Sequence, residues 1–296
     1  MEITVVGAGI IGLTTALVLE ERGHRVRVVA AAREDAITSS AAGAVWFPYQ
    51  VGPPDKVARW AAETRTWLEQ LARAGAAGID VLTGYEITDD APDAPPPWWA
   101  ASIDIARGPA PVTGAPLAWI FTAPRAAPAM FLPWLAARVR IETGVVTDLA
   151  DVPGEVVVNC AGLAARELAH DDALVPLFGQ TVITELGDFD ARTTVTDDRA
   201  PGPIFYAIPR PTELVLGGCS LPGAHAEDPA ITVRILTQAA ALGVRHGRVL
   251  RVRTGLRPYR PEVRLAREGR VIHNYGHGGA GFTLCRGCAD AVAELL

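Results

Sequence analysis

Two glycine-rich runs carry the clearest chemistry in this 296-residue chain. Near the N-terminus, Gly7, Gly9 and Gly12 stand in GxGxxG spacing within Gly7-Ala8-Gly9-Ile10-Ile11-Gly12. The first glycine permits a tight turn and the second lets the backbone approach a pyrophosphate. The third allows a helix to pack on the preceding strand, with phosphate at the helix N-terminus. Near the C-terminus, Val271-Ile-His-Asn-Tyr-Gly-His-Gly-Gly-Ala-Gly-Phe-Thr283 is a second such run. A glycine turn at each end points to one bound dinucleotide clamped by both. Taken alone, the GxGxxG spacing would equally suit a turn closing an ordinary βαβ unit.

The rest of the chemical inventory is thin. An acid that holds a ribose belongs at the end of the second strand, about 20 residues past the glycines. Here the run is Val28-Val-Ala-Ala-Ala-Arg33, and Glu34 and Asp35 come late. Either one of them reaches back or backbone and water hold the ribose. Cys285-Arg-Gly-Cys288 has CxxC spacing, yet a zinc site needs further ligands and this pair sits in an apolar helical stretch, so no metal is expected. Cys219 and Cys285 both lie near glycine turns, which leaves a disulfide between them, or between Cys285 and Cys288, open. Lys56 is the only lysine, which all but excludes a Schiff-base mechanism. No nucleophile, triad or metal cluster stands out, and no catalytic acid or base is assigned.

Composition narrows the partners. Hydrophobic residues make up 49%, charged residues 20%, and the formal charge is −6. No basic field is available for nucleic acid or anionic lipid, so neither partner is expected. No run of 18 apolar residues occurs, no basic region precedes Val5, and the final Ala-Glu-Leu-Leu is not an address signal, which reads as cytoplasmic. Monomer and homodimer both stay open.

The elements that must position these turns follow from periodicity. Ile3–Val6 is a β-branched strand, Leu13 to Arg22 repeats with helical spacing, and Gly23 stops that helix. Asp55 is placed to cap a helix whose apolar face is Val57, Trp60, Ala61, Thr64, Trp67, Leu68 and Leu71. Pro92 to Pro97 reads as a surface loop, and Leu117 to Phe121 as a strand of a separate sheet. Met130, Phe131, Trp134, Leu135 and Val139 mark another helix. The continuous run Glu155-Val-Val-Val-Asn-Cys-Ala-Gly162 suits a buried parallel strand. From Gln180 to about Val252 the pattern is antiparallel, with one helix begun by Asp228 and Pro229. A last strand at Arg270 to His273 and a helix from about Thr283 close the chain.

With these pieces in order, the chain resembles the D-amino-acid oxidase family of FAD enzymes over nearly its whole length. The matching motifs are Val5-Val-Gly-Ala-Gly-Ile-Ile-Gly-Leu13, Ala41-Ala-Gly-Ala-Val-Trp-Phe-Pro-Tyr49 and Val158-Asn-Cys-Ala-Gly162. They continue through Tyr206-Ala-Ile-Pro209 with Leu216-Gly-Gly218, Gly255-Leu-Arg-Pro-Tyr-Arg-Pro261, and Val271 to Thr283. The resemblance implies an α/β flavoprotein fold of the glutathione-reductase type, with an α+β second lobe. A Rossmann-like FAD-binding domain (1–50, 127–178 and 262–296) is interleaved with a mixed antiparallel-sheet substrate domain (51–126 and 179–261). It also implies oxidative deamination: hydride leaves the α-carbon of a D-amino acid for non-covalently held FAD, the imino acid hydrolyses, and molecular oxygen becomes hydrogen peroxide. Alternatives within the flavin oxidases are a D-aspartate oxidase or a glycine/sarcosine-type amine oxidase. A nicotinamide dehydrogenase would leave the second glycine turn unexplained, and a non-catalytic flavin-binding protein is the third class.

The resemblance assigns residues as well. Arg257 and Tyr206 would hold the substrate carboxylate, a planar guanidinium offering two parallel charge-assisted bonds, and the Gly279 carbonyl would accept from the substrate amine. FAD would lie along Gly7, Ala8, Gly9, Ile10, Ile11 and Gly12, then Ser39, Ser40, Ala42 and Gly43. Val145 or Val146 would meet the adenine, with Cys160, Ala161 and Gly162 close by. Gly276, His277, Gly278, Gly279, Ala280, Gly281, Phe282 and Thr283, together with Arg257, would surround the isoalloxazine. His277 and His273 are read as structural rather than as proton shuttles. Arg210 either binds a second carboxylate or faces solvent. Gly202 and Ala280 stand where vertebrate members carry tyrosines, which implies a more open entrance and less gating of product release.

Overall fold

The computed structural model describes residues 1–32, 37–48, 50–76, 78–91, 93–114, 117–199 and 202–296. The chain divides into two compact units, one made of Met1–Ile79, Ala126–Leu177 and Leu256–Leu296, the other of Asp80–Arg125 and Phe178–Gly255.

The first unit is built on five parallel strands in the order Ile141–Thr143, Arg25–Ala30, Glu2–Val6, Val156–Asn159 and Val271–His277. The second half of Val249–Glu268 adds an antiparallel strand beside the last of them. All four residues of Val156–Asn159 are buried, as a valine run covered on both faces requires. The helix Ile10–Glu21 buries nine of its twelve residues, so it lies inside the unit rather than along its surface. It contributes Leu13, Ala16, Leu17 and Leu19 to a core shared with Ile3, Val5, Val28, Phe131 and Leu135.

The helix Pro54–Arg73 buries Val57, Trp60, Ala61, Thr64 and Leu68, the face expected from its spacing. Its partner was not expected. It packs in the first unit against the C-terminal helix Gly281–Glu294, so residues 54–73 leave the 51–126 stretch assigned to the other domain. A Cβ on Gly287 would stand 2.4 Å from the Trp60 carbonyl oxygen, and Thr64 Oγ1 accepts from the Arg286 and Gly287 N–H groups at 3.1 and 3.0 Å. The last boundary also falls at 256 rather than 262, since Val249–Glu268 enters the first unit earlier. Asp55 is not the cap: Pro53 occupies that position and Pro54, with its φ already fixed, begins the helix. Asp55 stands in the first turn, where its charge suits the helix dipole. The helix Pro128–Ala136 ends before Val139.

The second unit carries Ile105–Gly108, Leu117–Ala126, Ile79–Thr88, Thr193–Asp197, Phe205–Pro209, Glu213–Gly217 and Val175–Glu185 in sheet order. Ile79–Thr88 runs parallel to Thr193–Asp197, whereas Phe205–Pro209 is antiparallel to both Thr193–Asp197 and Glu213–Gly217. Val182, Val195, Phe205, Ala207, Leu214 and Leu216 turn one face toward the helix Pro229–Ala241, which supplies Ile235 and Ala239. That helix begins as expected, with the Asp228 carboxylate accepting from the Ala230 N–H at 2.8 Å. Alternation along Phe205–Pro209 puts Tyr206 and Ile208 on the opposite face. Among the described residues, no helix is long and apolar enough to cross a membrane.

Candidate functional site

Because the five strands of the first unit run parallel, their carboxyl ends lie along one edge of the sheet. The two glycine runs and Cys160-Ala-Gly162 each follow one of these ends. Glu2–Val6 has Arg25–Ala30 on one side and Val156–Asn159 on the other, so strand order reverses at Gly7, the place where open α/β sheets leave a ligand crevice.

The turn at Gly7 is tight for stated reasons. Gly7 has φ +110°, and a Cβ there would stand 2.4 Å from the Cys160 carbonyl oxygen. A Cβ on Gly12 would stand 1.9 Å from the Gly7 oxygen, so helix and turn touch backbone to backbone. Gly9 caps the helix Ile10–Glu21 with no side-chain cap bond and no acid in the first turn. The Ile10 N–H donates to Ser39 Oγ at 3.1 Å, which brings Ser39 to the same helix end. Ser40 is buried and its hydroxyl donates to the Ile37 carbonyl.

The C-terminal turn reaches the same place. A Cβ on Gly281 would stand 3.3 Å from Ile10 Cγ2, so the N-terminus of Gly281–Glu294 abuts that of Ile10–Glu21. This second helix also starts with no side-chain cap and no first-turn acid. Side by side, the two helix starts present two positive dipole ends, with the Ile10 N–H already engaged by Ser39. Thr283, assigned to the cofactor, has its hydroxyl occupied otherwise: Oγ1 accepts from the Phe47 N–H at 3.1 Å and donates to the Phe47 carbonyl at 2.9 Å. Ala280 is fully buried at the helix start, a packing position rather than an entrance.

Arg257 is half-buried in the first unit, and its strand is held on both sides by the turns just described. The Thr38 hydroxyl donates to the Leu256 carbonyl at 3.0 Å, and the Gly278 N–H donates to the Pro258 carbonyl at 2.8 Å. Gly279 is exposed beside it in sequence. Tyr206 is half-buried in the second unit. Val145 is 77% exposed, whereas Val146 packs with Val6, Leu149, Val152 and Val157, so of the two only Val146 borders the sheet end. Glu34, Asp35 and Tyr49 lie outside the described residues.

Several assignments change character. Burial pushes the Cys160 thiol up to about 12, so this residue serves the turn through its backbone. Burial lowers His277 to about 3, and its Nε2 has no hydrogen-bond partner among the described residues. Arg210 does not face solvent: burial lowers it to about 10 against the pull of Glu213, whose carboxylate lies 3.9 Å away. Cys219 and Cys285 are both free and buried.

The sequence reading missed the polar residues that brace this edge. Asn274 Nδ2 donates to Thr15 Oγ1 at 3.2 Å, and the Ala161 N–H donates to Asn159 Oδ1 at 3.2 Å. Asp171 accepts on Oδ2 from Tyr275 Oη at 2.8 Å, Arg260 Nε at 3.0 Å and Arg264 at 3.3 Å. Burial opposes its charge, but Tyr275 and Arg260 outweigh it and hold the carboxyl below its ordinary value. Burial and the bond to Asp171 raise Tyr275 to about 12. This cluster sits behind the irregular stretch between Tyr259 and Arg264, just beyond Arg257.

A family model described as FAD dependent oxidoreductase matches residues 2–295. The chain belongs to that family. It is 38% identical to a D-amino-acid oxidase of Streptomyces coelicolor, across 99% of this chain and 96% of that one. A D-amino-acid oxidase of Rubrobacter xylanophilus is also 38% identical, covering 98% and 94%. In structure, it is similar to glycine oxidase from Bacillus cereus, with a TM-score of 0.81 over 99% of this chain and 94% of that one, at 18% identity. That likeness is one of fold. As an FAD-dependent oxidoreductase, the chain has residues that fit its cofactor: a glycine cradle that a Cβ would fill at Gly7 and Gly12, paired uncapped helix starts suited to a pyrophosphate, and an orphaned buried nitrogen on His277.

Proposed function

We propose that this FAD-dependent oxidoreductase oxidises D-amino acids, with the net reaction of D-amino acid, oxygen and water giving a 2-oxo acid, ammonia and hydrogen peroxide. The observation that carries the reading is the bracing of Arg257. Its neighbours' carbonyls are held by Thr38 and Gly278, one from each segment that the cofactor would contact. The two D-amino-acid oxidases at 38% identity over almost the whole chain support the same substrate class.

FAD, when bound, supplies the two-electron acceptor and the means of passing those electrons to oxygen. The protein's own part is placement. Gly7, Gly9, Gly12, Ser39 and the helix starts at Ile10 and Gly281 would hold the dinucleotide, with Gly276–Gly279 at its flavin end. Arg257 binds the substrate carboxylate through two parallel bonds and the Gly279 carbonyl accepts from the amine; Tyr206 enters as a carboxylate ligand on the family resemblance alone. With carboxylate and amine fixed, a third direction, that of the α-hydrogen toward the bound flavin, would select the hand. His277 stays neutral through the working pH range and moves no proton, which agrees with a reaction that leaves proton handling to solvent.

Arg210, the candidate for the second carboxylate of D-aspartate, is buried with the Glu213 carboxylate 3.9 Å away, which favours neutral side chains in the first instance. Four free cysteines suit a reducing compartment, and we place the enzyme in the cytoplasm.

The test is anaerobic reduction of the bound flavin by paired D- and L-amino acids in the parent protein and in Arg257→Leu. D-isomers should bleach the flavin and L-isomers should not. Arg257→Leu should keep its FAD while catalytic efficiency falls at least about 1,000-fold, the scale of a lost bidentate charged contact. Equal reduction by both isomers, or unaltered kinetics in Arg257→Leu, rejects the reading.

A further inference from the structure

We propose that Gly217 places the Tyr206 phenol, by leaving open the main chain over which the ring lies. The proposal rests on the reading of Tyr206 as a ligand of the substrate carboxylate. Tyr206 and Gly217 face each other directly across the antiparallel pair Phe205–Pro209 and Glu213–Gly217. A Cβ built on Gly217 would stand 2.1 Å from Tyr206 Cζ, 2.2 Å from Cε2 and 2.3 Å from Oη. The outer edge of the ring, hydroxyl included, therefore rests on the neighbouring strand.

The adjacent glycine serves as a control. Gly218 has φ +145°, and a Cβ there would meet the Ile204 carbonyl oxygen at 1.8 Å, so its backbone alone demands glycine. Gly217 has no such φ, and the three atoms nearest its missing Cβ all belong to Tyr206. A glycine inside a strand weakens it and marks the close approach of another group. Here that group is the phenol.

Register gives the direction. Thr196 is paired with Tyr206 on one side, and Thr181 is paired with Gly217 on the other. The hydroxyl has thus been carried off the Thr196 side and toward Thr181, whose own hydroxyl is engaged by the Arg253 carbonyl at 3.4 Å. Any side chain at 217 forces the ring to swing back or lift. A hydrogen bond to a carboxylate depends steeply on angle, so the displaced phenol loses it. Gly217 touches no substrate atom in this scheme and is a positioning residue.

A double-mutant cycle tests the proposal: Gly217→Ala, Tyr206→Ala and the pair, each as FAD-loaded protein, with KM, kcat and melting temperature measured for all four forms. Gly217→Ala should raise KM for a neutral D-amino acid about 10-fold with kcat within about threefold, since a carboxylate held equally in ground and transition states shows in KM. It should also lower the melting temperature. Both effects should vanish in the Tyr206→Ala background, where the new methyl has room. A Gly217→Ala penalty of the same size in both backgrounds overturns the proposal, as does an unchanged KM in the single variant. If Gly217→Ala fails to fold, recovery of folded protein in the double variant supports the proposal and failure of both overturns it. Should the parent protein oxidise no D-amino acid, the functional reading falls, and the melting-temperature cycle alone decides whether Gly217 seats the ring.

Discussion

His277 ends the strand Val271–His277 with 3% of its surface exposed, between two glycines of the cofactor turn. Burial lowers its pKa from 6.5 to about 3, which makes the ring a stability sensor rather than an acid–base catalyst. Between those two values the unfolded chain holds a proton that the folded ring does not. The stabilisation linked to this ring is therefore complete above pH 6.5 and is lost progressively as pH falls toward 3. At most it changes by about 1.4 kcal/mol per pH unit inside that window. His277→Gln, a neutral side chain of similar reach, should flatten the acid limb of melting temperature against pH while leaving the profile above pH 7 in place. An acid limb unchanged in His277→Gln would assign that loss of stability to other groups, with Asp171, also held below its ordinary pKa, the first to examine.

At the scale of elements, the glycine turn separates two demands that a motif merges. The Gly12 position is closed by backbone: its Cβ would stand 1.9 Å from the Gly7 oxygen. At Gly9 the nearest obstacle is Ser39 Oγ at 3.2 Å, the end of a side chain that can turn aside. Gly12→Ala should thus cost both folding and FAD, whereas Gly9→Ala should fold with near-parent stability yet retain less FAD, its methyl occupying the ground a pyrophosphate needs. Melting of the apoproteins and the flavin-to-protein ratio of the purified variants check this pair. Equal apoprotein stability in the two would remove the distinction. The same contrast shows what the sequence makes legible. Local geometry announces itself: the GxGxxG turn, the valine run at Val156–Asn159 and the Asp228 cap were all readable from neighbours in the chain. Partners distant in sequence were not. The apolar stripe of Pro54–Arg73 says that the helix is buried but not that Gly281–Glu294 covers it, and the one hint was Gly287 in the interior of that second helix. Asn274 and Thr15 meet across 259 residues of chain, and no periodicity marks two polar side chains that satisfy each other. Thr38 and Asp171 were missed for the same reason.

For the molecule as a whole, the order of the segments matters more than either unit's composition. The chain passes from one unit to the other four times, so each is assembled from stretches whose ends are tied by the other. Releasing the second unit would leave the first with long open loops in place of ordered connections, a loss of closure that couples their unfolding. The four cysteines report on this coupling without any label being introduced. Cys160, Cys285 and Cys288 are buried in the first unit and Cys219 in the second, all as free thiols. Burial raises Cys160 and Cys285 to about 12 and Cys288 well above its ordinary value, and only the thiolate attacks an alkylating reagent. Native protein should therefore resist iodoacetamide despite the CxxC spacing of Cys285 and Cys288. With rising denaturant, pulse alkylation read by peptide mass should modify all four thiols over one transition. Labelling of Cys219 at a clearly lower denaturant concentration than the other three would show that the second unit opens alone, and that interleaving does not bind the two units into one cooperative structure.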